Sequence, residues 1–276
     1  MNEIKREELR VIAQKIRLGA LECVYSANSG HPGGSLSIAD VLAYLYFDKM
    51  NVDPHNPRKE DRDRFVLSKG HTSPALYATL ALRGFFSPDL LKTFRKEGSI
   101  LQGHPDMKNV PGVDMSTGSL GQGVSTACGM ALSGKISGAG YRVFTALGDG
   151  EIEEGQVWEA AMFASHYKLD NLTAFVDFNG LQIDGKITEV MNPTPIDEKF
   201  KAFGWNALVI DGHNFDEIEN AVAIAEETKG QPTVIICKTT KGRGVSLMEN
   251  KAEWHGSAPN KEQYDMAVAE LSATIA

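Results

Sequence analysis

Short, β-branched apolar runs recur at 143–148, 173–178, 207–211 and 233–238, and helical patterns at 153–167, 194–203 and 214–228 separate them. Strands that alternate with helices form βαβ units, so the chain is expected to be an α/β protein with a parallel sheet flanked by helices. The strand-like run Arg64-Phe65-Val66-Leu67-Ser68 extends the series, and further helices are predicted over 4–27, 38–50, 74–83 and 124–133. No repeat, low-complexity tract or Pro/Gly-rich linker divides the 276 residues. The expectation is one domain over 1–276 with a C-terminal extension from about 240.

Composition removes several classes of function. A net charge of −8 without a Lys/Arg cluster argues against a nucleic-acid surface. The charged start Met1 to Arg10 has no apolar h-region, and no stretch reaches the roughly 18 uninterrupted apolar residues of a membrane span. Cys23, Cys128 and Cys237 are few and far apart, which excludes a Cys-based zinc site and reads as small core residues. They suit a reducing compartment, and a cytoplasmic protein is expected.

Gly148-Asp149-Gly150 closes one apolar run, and Asn179 follows the next. A carboxylate and an amide at the tips of neighbouring strands can grip one hard cation such as Mg²⁺ or Ca²⁺, which in turn recruits phosphates. The glycines let the backbone approach those phosphates, and the segment from Glu153 can open a helix whose N-terminus favours anions. Gly-Asp-Gly alone also marks many ordinary turns, so its neighbours carry the argument. Four loops place a histidine beside a glycine: Ser29-Gly30-His31-Pro32-Gly33-Gly34, Ser68-Lys69-Gly70-His71, Gly103-His104-Pro105 and Trp254-His255-Gly256. Imidazole donates to phosphate or carbonyl oxygens and exchanges protons near neutral pH. His55, His166 and His213 stand outside this pattern, and His166 reads as structural. Gly118-Ser119-Leu120-Gly121-Gln122-Gly123 follows no convincing strand and lacks the dinucleotide spacing, which argues against a nicotinamide site. It remains suited to a glycine turn that meets a flat ring, or to a close-packed helix cap. Glu151, Glu153 and Glu154 read mostly as a solvated first helical turn, with Glu154 near an interface as one alternative.

In this order and spacing, the segments resemble the N-terminal, diphosphate-binding part of transketolase. The resemblance rests on the four histidine loops, Thr117 to Gly123, Gly148-Asp149-Gly150, Asn179 to Asp184 and Lys238-Thr239-Thr240-Lys241-Gly242. It implies a thiamine diphosphate-binding fold, with the cofactor held through Mg²⁺ or Ca²⁺ by Asp149, Asn179 and the carbonyl of Leu181. By the same resemblance His71, Gly150 and His255 would meet the diphosphate, Gly118, Leu120 and Ile183 would line the thiamine rings, and Gly148 and Ser119 complete the cofactor-binding set. His31, His104 and His255 would face the substrate and assist proton transfers. The implied reaction moves a two-carbon ketol unit between sugar phosphates, as in the pentose phosphate pathway.

Two departures from the family pattern matter. The glutamate that pairs with the aminopyrimidine ring, and the arginines that hold sugar phosphate, belong to parts of the family's sequence that this chain does not include. The expectation is therefore the N-terminal subunit of a split transketolase, which self-associates to a dimer within a heterotetramer and is active only with a C-terminal partner subunit. A subunit of a deoxyxylulose-phosphate or dihydroxyacetone synthase, or a non-catalytic cofactor-binding subunit, is the alternative. Phe178 stands before Asn179 where many relatives carry a polar residue, which loosens the inferred surroundings of that ligand.

Overall fold

The computed structural model of the chain describes residues 1–275. Its strands are β1 (Arg64–Leu67), β2 (Val143–Gly148), β3 (Leu172–Phe178), β4 (Leu181–Gln182), β5 (Gly185–Lys186), β6 (Asn206–Asp211) and β7 (Thr233–Lys238). The helices are α1 (Glu3–Ala27), α2 (Pro32–Ser37), α3 (Ala39–Tyr44), α4 (Ser73–Arg83), α5 (Gln122–Ser137), α6 (Gly155–His166), α7 (Ile187–Val190), α8 (Ile196–Ala202), α9 (Phe215–Glu227) and α10 (Lys261–Ala273). Five strands form a sheet in the order β1-β2-β3-β7-β6, and every pairing is parallel. β4 and β5, two residues each, make a separate antiparallel hairpin.

The period of two along each strand divides the core between the two faces. Phe144, Ala146, Phe175, Ile235 and Cys237 pack with α1, α3, α4 and α9, whereas Val143, Leu147, Leu172, Ala174 and Val176 pack with α5, α6 and α8. The three cysteines are buried thiols, as their predicted core role requires. After β3 the chain crosses to the sheet edge at β6 and returns to β7 beside β3. That reversal opens a crevice beyond the carboxyl ends of β3 and β7.

Helix ends follow their sequence signals. The Asn2 side chain caps α1 by accepting from the amide of Lys5, and Asn28 closes the helix in the left-handed conformation. The helix predicted over 38–50 is α3 continued by a wider π turn over Leu45–Lys49. One prediction is corrected: three of the four histidine segments are not irregular. Pro32–Ser37 is a helix, and Gly70–Thr72 and Ala252–His255 are 3₁₀ turns. Pro32 supplies a preset φ at the first turn of α2, and complete burial of all six residues overrides the weak helix propensity of its two glycines. Among the described residues, no helix is long and apolar enough to cross a membrane.

The start of α5 touches the end of β1 so closely that a Cβ on Gly123 would lie 2.5 Å from Ser68 Cα, whereas one on Gly129 meets nothing within 4 Å. Gly123→Ala is expected to destabilise the chain by about 1–3 kcal/mol. Gly129→Ala, in the same helix, should stabilise it by up to about 1 kcal/mol. Thermal unfolding of the two variants checks the opposite signs.

Candidate active site

A cavity of about 370 Å³ opens at the carboxyl ends of β1, β2, β3 and β7, lined by residues that follow each strand. His31, His71 and His255 form a triangle in its wall, with ring centroids 5.0 Å, 5.5 Å and 5.2 Å apart. His104 joins from the loop after α4, and Gly118 permits its approach: a Cβ there would lie 3.1 Å from the imidazole. Burial and the charges of Arg95, His104 and Lys241 press the His31 pKa down to about 4. Burial and Lys241 take His255 to about 3, and burial, Lys69 and the neighbouring imidazoles lower His71. All three imidazoles are therefore neutral at pH 7, each offering one donor and one acceptor.

Gly118 and Leu120 line the cavity, but Ser119 does not. The turn before α5 leaves Ser119 exposed, with only its carbonyl engaged, by the amide of Gln122. Ser119 is thus the one expected cofactor-binding residue that lies outside the cavity lining. Ile183 contributes from the far side and is 68% exposed.

Asp149, Asn179 and Leu181, the residues expected to hold a metal, line the same cavity. Asp149 accepts hydrogen bonds from the amides of Gly150 (3.0 Å) and Gly180 (2.6 Å), and Asn179 Oδ1 accepts from the amide of Leu181 at 3.2 Å. The Leu181 carbonyl accepts from Lys241 Nζ at 2.8 Å. Phe178, which interrupts the family pattern, is half-buried against the core on one face of the sheet, and Asn179 beside it lines the cavity.

Four charged residues of the site had no role assigned from sequence. Lys69 Nζ lies 2.5 Å from Asp177 and donates to the Gly34 carbonyl at 2.9 Å. Lys241 Nζ also meets His255 Nδ1 at 3.0 Å, and both lysines are 2% exposed. Their signal was a lysine beside a glycine just beyond a strand, inside motifs already singled out. Asp177 was hidden within a β run. Glu151 overturns the solvated-turn reading. It is 2% exposed and accepts from Ser68 Oγ (2.5 Å) and from the amides of Gly121 (2.9 Å) and Gly148 (3.0 Å). Two backbone N–H groups held by a single carboxylate fix the glycine turn against the end of β2.

These residues fit a diphosphate held by a divalent cation. The donor set is hard oxygen, from a carboxylate, an amide and a carbonyl. Burial and the nearby Asp177 charge push the Asp149 pKa up to about 7, so the carboxylate lacks adequate positive compensation within the protein. Beside it stand two lysines suited to an anion, and His31 Nδ1 and Gln182 Nε2 are buried in the wall without hydrogen-bond partners.

The profile described as transketolase, thiamine diphosphate binding domain, matches residues 9–272. The chain belongs to this transketolase family. At 49% identity over 264 residues it is similar to the 6-deoxy-6-sulfo-D-fructose transketolase subunit SqwG of Clostridium sp. (strain MSTE9), covering 96% of each chain. It is 45% identical over 269 residues to one of the subunits of the apulose-4-phosphate transketolase of Phocaeicola vulgatus, covering 98% of this chain and 95% of that one. The crystal structure of Campylobacter jejuni transketolase superposes with a TM-score of 0.91 at 33% identity, covering 99% of this chain and 43% of that one. The chain therefore spans less than half of that transketolase but nearly all of the two subunits.

The neutral imidazoles of this transketolase-family site make a test by pH. Their folded-state values lie below the free value of 6.5, reaching about 3 for His255. The unfolded chain therefore binds more protons between those limits, and stability falls as pH is lowered through that window. Asp149, shifted the other way, contributes with opposite sign and is common to both proteins compared. The thermal midpoint is expected to fall from about pH 7 to about pH 4.5, less steeply in the double variant His31→Asn, His255→Asn. Equal slopes in the two proteins would show that the imidazoles are not held neutral.

Proposed function

We propose that this chain is the N-terminal subunit of a two-component transketolase. It would hold thiamine diphosphate through Mg²⁺ or Ca²⁺ and transfer a two-carbon ketol unit between sugar phosphates once joined by a C-terminal partner. The observation that carries the reading is the convergence, in one crevice, of Asp149, Asn179 and the Leu181 carbonyl with Lys69, Lys241 and four histidines. When bound, the cofactor supplies the electron sink for cleaving and forming carbon–carbon bonds.

The polypeptide's own part is placement and proton handling. Asp149, Asn179 and the Leu181 carbonyl would take the cation, and Lys69, Lys241 and His71 the diphosphate oxygens. Leu120 and Ile183 would flank the rings. His31, His104 and His255, kept neutral by burial and adjacent cations, can each give a proton to a substrate oxygen or accept one from a hydroxyl. Ile183, Val190 and Met191 are exposed along the segment that borders the cavity, an apolar rim suited to cover by a partner. The two subunit-named relatives, covered over 95–96% of their lengths, support a separate partner. The proposal includes a homodimer of this chain within a heterotetramer, and a cytoplasmic location that the unpaired thiols suit.

Ketol transfer assayed with each purified polypeptide and with their mixture tests the assignment. Activity is expected only from the mixture; full activity from this chain alone removes the split-subunit reading, and association without turnover favours a cofactor-binding role. Light scattering of the chain and the mixture checks the assembly. In a separate calorimetric measurement, Asp149→Ala is expected to weaken Mg²⁺-dependent thiamine diphosphate binding by at least about tenfold, since it removes the carboxylate ligand. Unchanged affinity would exclude Asp149 from the site.

A further inference from the structure

His213 lies outside the cavity, in the turn between β6 and α9, and its ring is hydrogen-bonded on both sides. Nε2 lies 2.9 Å from the backbone nitrogen of Thr240, and Nδ1 lies 2.7 Å from Asp40 Oδ2. A backbone N–H can only donate, so Nε2 is the acceptor and the ring proton resides on Nδ1, directed at Asp40. The same Asp40 oxygen meets Arg17 Nη2 at 2.5 Å, and Arg17 Nε donates to the Leu36 carbonyl at 3.1 Å. Arg17 and Asp40 are 2% and 5% exposed. Burial alone would raise the Asp40 pKa, but Arg17 and His213 outweigh it and hold the carboxyl ionised.

The chain of contacts thus runs from α1 through α3 to His213 and ends on the amide of Thr240. The next residue is Lys241, whose ammonium spans the Leu181 carbonyl and His255. The backbone on either side is anchored elsewhere, by the Thr239 amide on the Phe178 carbonyl at 3.1 Å, the Gly242 amide on the Gly33 carbonyl at 3.0 Å, and the Thr240 and Lys241 carbonyls, which accept from the amides of Arg243 (3.2 Å) and Asn250 (3.0 Å); His213 is the partner of the Thr240 N–H itself. From this geometry we infer that His213 is a positioning residue. Its tautomer, fixed by the Asp40–Arg17 pair, supplies the acceptor that sets the path of the segment carrying Lys241. As far as this bears on the cofactor, it rests on the function proposed above.

Two substitutions separate the two ends of the ring. His213→Asn keeps a donor near the Nδ1 position and loses the acceptor for Thr240, whereas His213→Gln can return an oxygen near the Nε2 position. In the full chain without cofactor, amide exchange followed by NMR is expected to be faster at Thr240 in His213→Asn by about tenfold, and to return close to the wild-type rate in His213→Gln. Affinity for thiamine diphosphate with Mg²⁺, measured by calorimetry, should follow the same order, weaker by about tenfold in His213→Asn and restored in His213→Gln. Unchanged Thr240 exchange in His213→Asn overturns the inference, as does equal loss in both variants. Faster exchange with unaltered cofactor affinity also overturns it. A wild-type chain that takes up no cofactor defeats the proposed function instead, and the exchange comparison then decides His213 alone.

Discussion

Asp177, one residue before the end of the central strand β3, has no solvent exposure, and its carboxylate accepts hydrogen bonds from Lys69 Nζ, Ser37 Oγ and Thr239 Oγ1. Each donor belongs to a different segment: the turn after β1, the end of α2 and the loop after β7. Burial pushes this carboxyl up, but Lys69 and the hydroxyl donors outweigh it and keep the group ionised. An uncompensated charge at this depth would be unfavourable by several kcal/mol, so none of the three segments can drift without stranding it. The Asn179 amide nitrogen also points back at the same carboxylate, at 3.5 Å, while its oxygen is turned to the Leu181 amide. One buried ion pair therefore fixes the relative placement of most of the site loops.

The electrostatics follow from that arrangement. Lys69 spends its charge on Asp177, and Lys241 sits in the opposite wall with its pKa brought down to about 8, chiefly by burial. Burial, reinforced by the nearby cations, denies the histidines theirs. The imidazoles become neutral hydrogen-bonding groups, and under the proposed function Lys241 is the cation left for an anion, while Lys69 stays paired with Asp177. Asp149 faces the converse problem, because burial and Asp177 oppose its ionisation. Under the proposed function a divalent cation would resolve it, since metal binding favours the deprotonated ligand.

Much of this was legible in the sequence because the chemistry sits where backbone pattern announces it. All five strands of the main sheet fall within one residue of the expected apolar runs, and glycine turns flag the positions just beyond β1 and β2. What stayed hidden depends on contacts between distant residues. Glu151 looks like any acidic helix start until Ser68 and Gly121, from other segments, close around it. Asp177 occupies a strand position that a hydrophobic residue could fill, and only the fold brings Lys69 to it. Ser119 lies outside the cavity lining although its neighbours Gly118 and Leu120 belong to it, because the turn before α5 leaves it exposed.

The return of the chain after β7 explains why the histidine triangle has the size it has. His31 precedes α2 and His255 ends a 3₁₀ turn, more than two hundred residues apart in sequence, and neither is carried by the sheet. A small core of Leu21, Leu36, Val245, Met248, Trp254 and Leu271 packs their supporting segments together. α10 closes it against α1, where Tyr264 stacks on Tyr25 at 4.0 Å and its hydroxyl donates to Glu22 at 2.7 Å. The placement of His31 and His255 is thus set by apolar packing outside the sheet, whereas His71 follows β1 and the lysines are placed by ion pairs and hydrogen bonds at the strand ends. The two sets of constraints meet at Lys241 Nζ and His255 Nδ1, 3.0 Å apart, so movement of the C-terminal segment would disturb the anion-binding and proton-handling sides of the site together.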